Sequence, residues 1–147
     1  MSDRAGEPGE RFTLETVGRI ASPLTDRAGA PKQGPEGGPD AWLTFEPHVA
    51  DAARDLAVDD RLVILTWLDR ADRTVQRVHP RDDLSAPETG VFSTRSPDRP
   101  NPVGLHPVTV RAVDREGGRI LVGPIEAIDG TPVVDVKPLL RGDEGTR

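Results

Sequence analysis

Two blocks of the sequence hold side chains and backbone shapes suited to gripping a charged, polar ligand. The first runs from Gly90 to Leu105 and reads GVFSTRSPDRPNPVGL. Pro97, Pro100 and Pro102 remove three backbone donors within six residues and stiffen the chain into an extended form. Such a stretch does not make a central strand. It either holds a loop in one shape, with free carbonyls and the Asn101 amide offered to a ligand, or serves as a rigid surface connector. Arg95 and Arg99 add planar guanidinium forks that match a carboxylate or a phosphate. The second block, Asp129 to Leu140, reads DGTPVVDVKPLL. Its first four residues have turn chemistry. Asp135 and Lys137 lie two apart on an expected strand, so they share a face and can pair. That pair sits either in a ligand site, with further hydrogen bonds to offset its desolvation, or on a solvated edge strand.

The chemistry around these blocks is narrowed by what the chain lacks. There is no cysteine, which excludes disulfides, thiolate zinc sites, iron–sulfur clusters and cysteine nucleophiles. His48, His79 and His106 fall in no metal-ligand spacing and read as surface or loop residues, so no metal site is expected. The net charge of −6 runs against a phosphate-rich partner. Its distribution runs the other way: residues 61–111 hold eight Lys/Arg against six Asp/Glu, with Arg70, Arg73, Arg77 and Arg81 close together. A solvated face explains that segment equally well.

The elements that must position the two blocks are short. The chain has 147 residues, enough for one domain with a single core. Fifteen Gly and fifteen Pro favour turns over long helices. Residues 1–11 read as a disordered tail, 12–140 as the folded domain and 141–147 as a polar tail. Phe12–Ile20 alternates as a first strand, and residues 21–41, with four prolines, form a long loop. Trp42–Glu46 is a short strand. Val49, Ala52, Ala53 and Leu56 recur at helical spacing behind Pro47, which predicts one short helix over 47–57. Leu62–Leu68 is the most apolar run and reads as a buried strand. Val75–His79 is a further strand. Val108–Val113 and Ile120–Val122 flank a Glu116-Gly117-Gly118 turn, and Ile125–Ile128 and Val133–Val136 flank the Asp129–Pro132 turn. Many short strands with one helix predict a mainly β fold, a sandwich or closed barrel. No apolar run approaches the ~18 residues of a membrane span, so a soluble, cytoplasmic protein is expected.

Taken together, TRSPDRPNPVGL and DGTPVVDVKPLL resemble the two signature blocks of the TsaA-like (TrmO) family of S-adenosylmethionine-dependent tRNA methyltransferases. Val17-Gly-Arg-Ile-Ala-Ser-Pro23 and Ala30-Pro-Lys-Gln33 add to the likeness, which extends from about residue 16 to residue 140. The resemblance implies an antiparallel β-barrel that dimerises, with S-adenosyl-L-methionine bound near the subunit contact. It assigns Pro31, Lys32, Gln33, Asp69, Arg70, Arg95, Leu105, Asp129, Gly130, Thr131 and Pro132 to the cofactor, with Lys32 where the family has Arg. Asp69-Arg70 stands where the family often has His-Gln. Arg73, Arg77, Arg99 and Asn101 are then expected on the substrate side. The implied substrate is tRNA, methylated on N6 of threonylcarbamoyl-adenosine beside the anticodon. That nitrogen belongs to a urea and is a poor nucleophile, so a base would help, and Asp69, Asp129 and Asp135 are the candidates. Two features depart from the family. His106-Pro107 follows Gly104-Leu105 where Ser or Thr is common, and longer members continue past the barrel. A small-metabolite methyltransferase and a non-catalytic S-adenosylmethionine-binding module are the alternative readings.

Overall fold

The computed structural model describes residues 6–140; the expected tail at 141–147 and the first five residues lie outside the described residues. Six strands close into an antiparallel barrel: β1 (Gly18–Ala21), β2 (Ala41–Phe45), β3 (Arg61–Trp67), β6 (Val103–Asp114), β7 (Arg119–Gly123) and β8 (Pro132–Pro138). The order around the barrel is β1-β2-β7-β6-β3-β8, with β8 returning to β1. Two further strands, β4 (Arg77–Val78) and β5 (Thr89–Gly90), make a small separate ribbon.

Inward positions alternate along each strand, as a half-buried sheet requires. Leu62, Ile64 and Thr66 point in from β3, and Gly104, His106, Val108 and Val110 from β6. Register carries this pattern across the sheet: Ile20 faces Leu43, and Leu43 faces Ile120. These residues, with Val122, Ile125 and Val133, are the core. Closure leaves the barrel without a free edge, which removes the usual site of edge-to-edge association.

Several expected elements are shorter or different. Phe12 and Leu14 are 82% and 61% exposed, and the first strand begins only at Gly18. The expected strand over 75–79 shrinks to Arg77–Val78. Residues 125–128 are not a strand, although Ile125 and Ala127 are buried. Their backbone bonds run to loops, with Ile125 N–H donating to Pro39 O and, just beyond them, Asp129 N–H to Leu24 O. The one expected helix is a 3-10 helix, Pro47–Ala53, kinked at Val49 and without a buried residue. Seven residues with no buried face have too little to gain from a regular α-helix. Pro107 lies inside β6, but residues 103–108 pair with β3 alone, so its missing donor breaks no second ladder. No helix among the described residues is long and apolar enough to cross a membrane.

Candidate cofactor cleft

At one end of the barrel a cleft of about 830 Å³ is enclosed by five stretches of chain, one of them residues 78–82. The long loop gives Pro31, Lys32 and Gln33; the end of β3 gives Leu68, Asp69 and Arg70; the proline-rich block gives Arg95 through Arg99 and Val103 through His106; the β7–β8 connection gives Glu126 through Ile128 and Thr131. The five stretches are separate in sequence. The closed barrel brings them to one rim.

The proline-rich block is fixed from inside. Arg99 donates from Nη2 to Val91 O and Thr94 O, each at 2.6 Å, and from Nε to Ser96 O at 2.8 Å. Its fork is used to hold the loop. Among the described residues Arg95 makes no such bonds and is exposed in the cleft, so it is a cation placed to meet an anion. Arg27 ties Asp98 to the opposite wall at 3.2 Å. Lys32 Nζ lies 2.6 Å from Asp82, and that hydrogen bond, with the lysine's charge, holds the Asp82 carboxyl below the usual carboxylate range. Arg81 pairs with Glu36, so two ion pairs connect loop 32–36 to residues 81–82 across the cleft.

The turn at 129–132 is pinned to β1 and the loop after it. Asp129 Oδ1 accepts from Ser22 N–H at 3.0 Å, Gly130 N–H donates to Ile20 O, and Arg19 donates to Gly130 O. Thr131 alone of these four residues reaches the cleft lining; Asp129, Gly130 and Pro132 lie outside it.

Other candidates are separated. Asp69 is exposed and lines the cleft. Asp135 pairs with Lys137 at 3.4 Å and borders a second cavity of about 440 Å³, with Leu62 and Phe45. Arg73 and Asn101 meet each other outside the lining: Arg73 donates to Asn101 Oδ1 at 2.8 Å and to Pro100 O at 2.7 Å, and its guanidinium lies 5.1 Å from the Trp67 ring centroid. Arg77 is exposed on β4, 3.8 Å from Glu88. Arg70 lines the cleft and donates to Thr25 O.

One of the three histidines departs from its sequence reading. His106 is 3% exposed on the inner face of β6, with Nε2 2.7 Å from Thr66 Oγ1 and Nδ1 3.0 Å from Glu126 Oε2. Neither Glu126 nor Thr66 was a sequence candidate. The signal available was alternation: His106 falls on the inward phase with Val108 and Val110, and Thr66 with Leu62 and Ile64. A register slip, between Leu65 and Thr66 on the β3–β8 ladder, lies beside this group and re-aims the end of β3.

A model of the tRNA-methyltransferase O N-terminal domain matches residues 19–142. A probable S-adenosyl-L-methionine-binding protein of Archaeoglobus fulgidus is 41% identical over 125 residues, covering 85% of this chain and 33% of that protein. A probable S-adenosyl-L-methionine-binding protein of Methanothermobacter thermautotrophicus is 40% identical over 126 residues, covering 85% and 88%. A crystal structure of TrmO superposes with a TM-score of 0.73 at 25% identity, over 93% of this chain and 61% of that one. TrmO from Pseudomonas aeruginosa superposes at 0.71 and 24%, over 93% and 60%, a likeness of fold. The chain thus spans a third of the Archaeoglobus relative and less than two thirds of either TrmO chain. On the match across nearly all of its barrel, the chain belongs to the tRNA-methyltransferase O N-terminal domain family.

Proposed function

We propose that this chain is an S-adenosyl-L-methionine-dependent methyltransferase whose cofactor occupies the cleft. The observation that carries the reading is convergence: Pro31–Gln33, Asp69–Arg70, Arg95, Leu105 and Thr131, assigned to the cofactor by family resemblance, line one cavity. Its size is within the range of small-molecule sites. The residues fit the ligand's chemistry. Arg95 offers a free two-donor fork for the amino-acid carboxylate, Gln33 and the loop backbone offer partners for ribose and adenine, and Leu68, Val103 and Leu105 offer apolar contact. The relatives named for S-adenosyl-L-methionine binding support the same reading.

When bound, the cofactor supplies an electrophilic methyl group. The chain's own part is positioning, which suits an in-line displacement. Arg99 keeps the proline-rich wall in shape, the Lys32–Asp82 pair tethers the opposite loop, and Asp69 offers an acceptor at the exposed side.

For the substrate we propose tRNA carrying threonylcarbamoyl-adenosine beside the anticodon, methylated at N6 by a cytoplasmic homodimer. Family membership supports the tRNA class, and the exposed Arg70 and Arg77 supply cations near the cleft. A second reading, a small-metabolite methyltransferase, is favoured by the net charge of −6, and a non-catalytic binding module by the Asp69-Arg70 departure alone. Mass spectrometry of tRNA nucleosides from cells with and without the gene separates them. Loss of the N6-methylated nucleoside is the expected result; unchanged nucleosides would remove tRNA from the reading. Thermal denaturation tests the cofactor: at ligand near 100 times its Kd, stability should rise by about 2.7 kcal/mol.

A further inference from the structure

The floor of the cleft carries a hydrogen-bonded chain that the proposed function leaves unused. Thr66 is fully buried, His106 nearly so, and Glu126 lines the cleft with its side chain 17% exposed. One neutral tautomer satisfies both contacts: the Thr66 hydroxyl donates to Nε2, and Nδ1–H donates to the Glu126 carboxylate. Two glycines make room for this chain. Gly104 faces Thr66 in register, and a Cβ there would collide with Thr66 Oγ1 and come within 2.7 Å of His106 Nε2. At Gly34 a Cβ would sit 2.6 Å from Pro124 O and 3.4 Å from Glu126 Oε1, so the loop following Gln33 lies directly against Glu126.

The chain has the membership of a nucleophile–histidine–acid triad but the opposite orientation. Its hydroxyl is sealed in the barrel and cannot reach a ligand, and its carboxylate faces the cleft. The working end is therefore Glu126. Among the described residues of the lining, Asp82 is held by Lys32 and Asp98 by Arg27, and Asp69 is exposed. Glu126 alone is largely buried and has no Lys or Arg partner. A carboxylate so placed is costly to desolvate unless a cation arrives.

We infer that Glu126, oriented by His106 and Thr66, is the subsite for the sulfonium of the methyl donor. The inference rests on the cofactor reading above. The donor has two cations, an α-ammonium beside its carboxylate and the sulfonium. Arg95 and Asp69, both exposed, suit the zwitterionic amino-acid end, which leaves the sulfonium for the floor. Glu126 is then a binding residue that favours the charged donor over its neutral product, and His106 is a positioning residue.

Calorimetric titration of the full chain and of Glu126→Gln tests this with three probes. S-adenosylmethionine carries the sulfonium, sinefungin carries an amine in its place, and S-adenosylhomocysteine carries a neutral thioether. Removing the charge-assisted interaction should weaken the first two by about tenfold or more and leave the third nearly unchanged. His106→Leu, checked for folding by its Tm, should move the same ratio in the same direction by less. Equal weakening of all three ligands, or none, overturns the sulfonium assignment while the cofactor reading stands. A wild-type chain that binds none of them overturns both.

Discussion

Arg95 and Arg99 are four residues apart in one loop and look alike in sequence, yet the structure divides their work. Arg99 spends its fork on the carbonyls of Val91, Thr94 and Ser96. Arg95 spends none and lies open in the cleft. Opposite signatures follow on mutation. Arg95→Lys replaces a two-donor fork with a point charge, so S-adenosylmethionine affinity should fall roughly tenfold or more while the Tm is unchanged. Arg99→Ala removes the donor to the Thr94 and Ser96 carbonyls, while Val91 O keeps the Thr94 N–H and hydroxyl, at a cost of about 1–3 kcal/mol, so it should lower the Tm first and affinity only through the loosened wall. Titration and melting of both variants check this; a stable Arg99→Ala with weakened binding would place Arg99 on the ligand. His106 shows the limit of composition at this scale. Three scattered histidines carry no spacing signal, and only the phase of β6 turns one of them inward.

Among the elements, legibility followed burial. Leu62–Leu68 and Trp42–Glu46 were readable to within a residue because barrel strands alternate and their inward phase is apolar except at Thr66. Phe12–Ile20 alternates as well, but the chain bonds to its neighbours only from Val17 onward, and alternation without a partner is no strand. Residues 125–128 failed for the converse reason: their apolar side chains are buried while their backbone serves the loops that wall the cleft. Leu43 faces Ile20 and Ile120 at zero exposure, so Leu43→Ala should cost about 2–5 kcal/mol in denaturant unfolding. The two ion pairs across the cleft should act differently. They are exposed, so removing them with Asp82→Asn and Glu36→Gln should scarcely move the Tm. It should instead speed proteolysis within loop 31–36. The Lys32–Asp82 pair also sets a pH sign. A carboxyl held below its usual range keeps its charge through mild acid, so the tether persists at neutral pH and is lost only as pH falls through that lowered value. A loop that loosened on going from pH 7 to pH 6 would contradict this.

For the whole molecule the proposed tRNA substrate raises the question of how an acidic protein of net charge −6 would meet a polyanion. Only a local cationic face can do it, since affinity depends on phosphates neutralised where the two surfaces meet and long-range repulsion is screened. The arginine run 70–77 was visible in sequence, but its members are not equivalent in the fold. Arg73 is engaged with Asn101, Pro100 and the Trp67 ring, so reversing its charge would disturb the loop as much as any docking face. Arg70 at the cleft and Arg77 on β4 are exposed and make weaker interactions, at 3.2 Å to a carbonyl and 3.8 Å to Glu88. These two are the residues on which to test the tRNA reading. Binding of tRNA carrying threonylcarbamoyl-adenosine should weaken with salt, and each phosphate left without its cation should reduce the log–log slope by about 0.7–0.9. The double variant Arg70→Glu, Arg77→Glu should therefore flatten the slope by about twice that amount, with cofactor affinity and Tm monitored alongside. Sedimentation equilibrium on the same samples tests the proposed homodimer, which would double the cationic face offered to one tRNA. A full slope in the double variant, or no salt-dependent binding by wild type, would shift the substrate to a small metabolite and leave the cleft's cofactor chemistry in place.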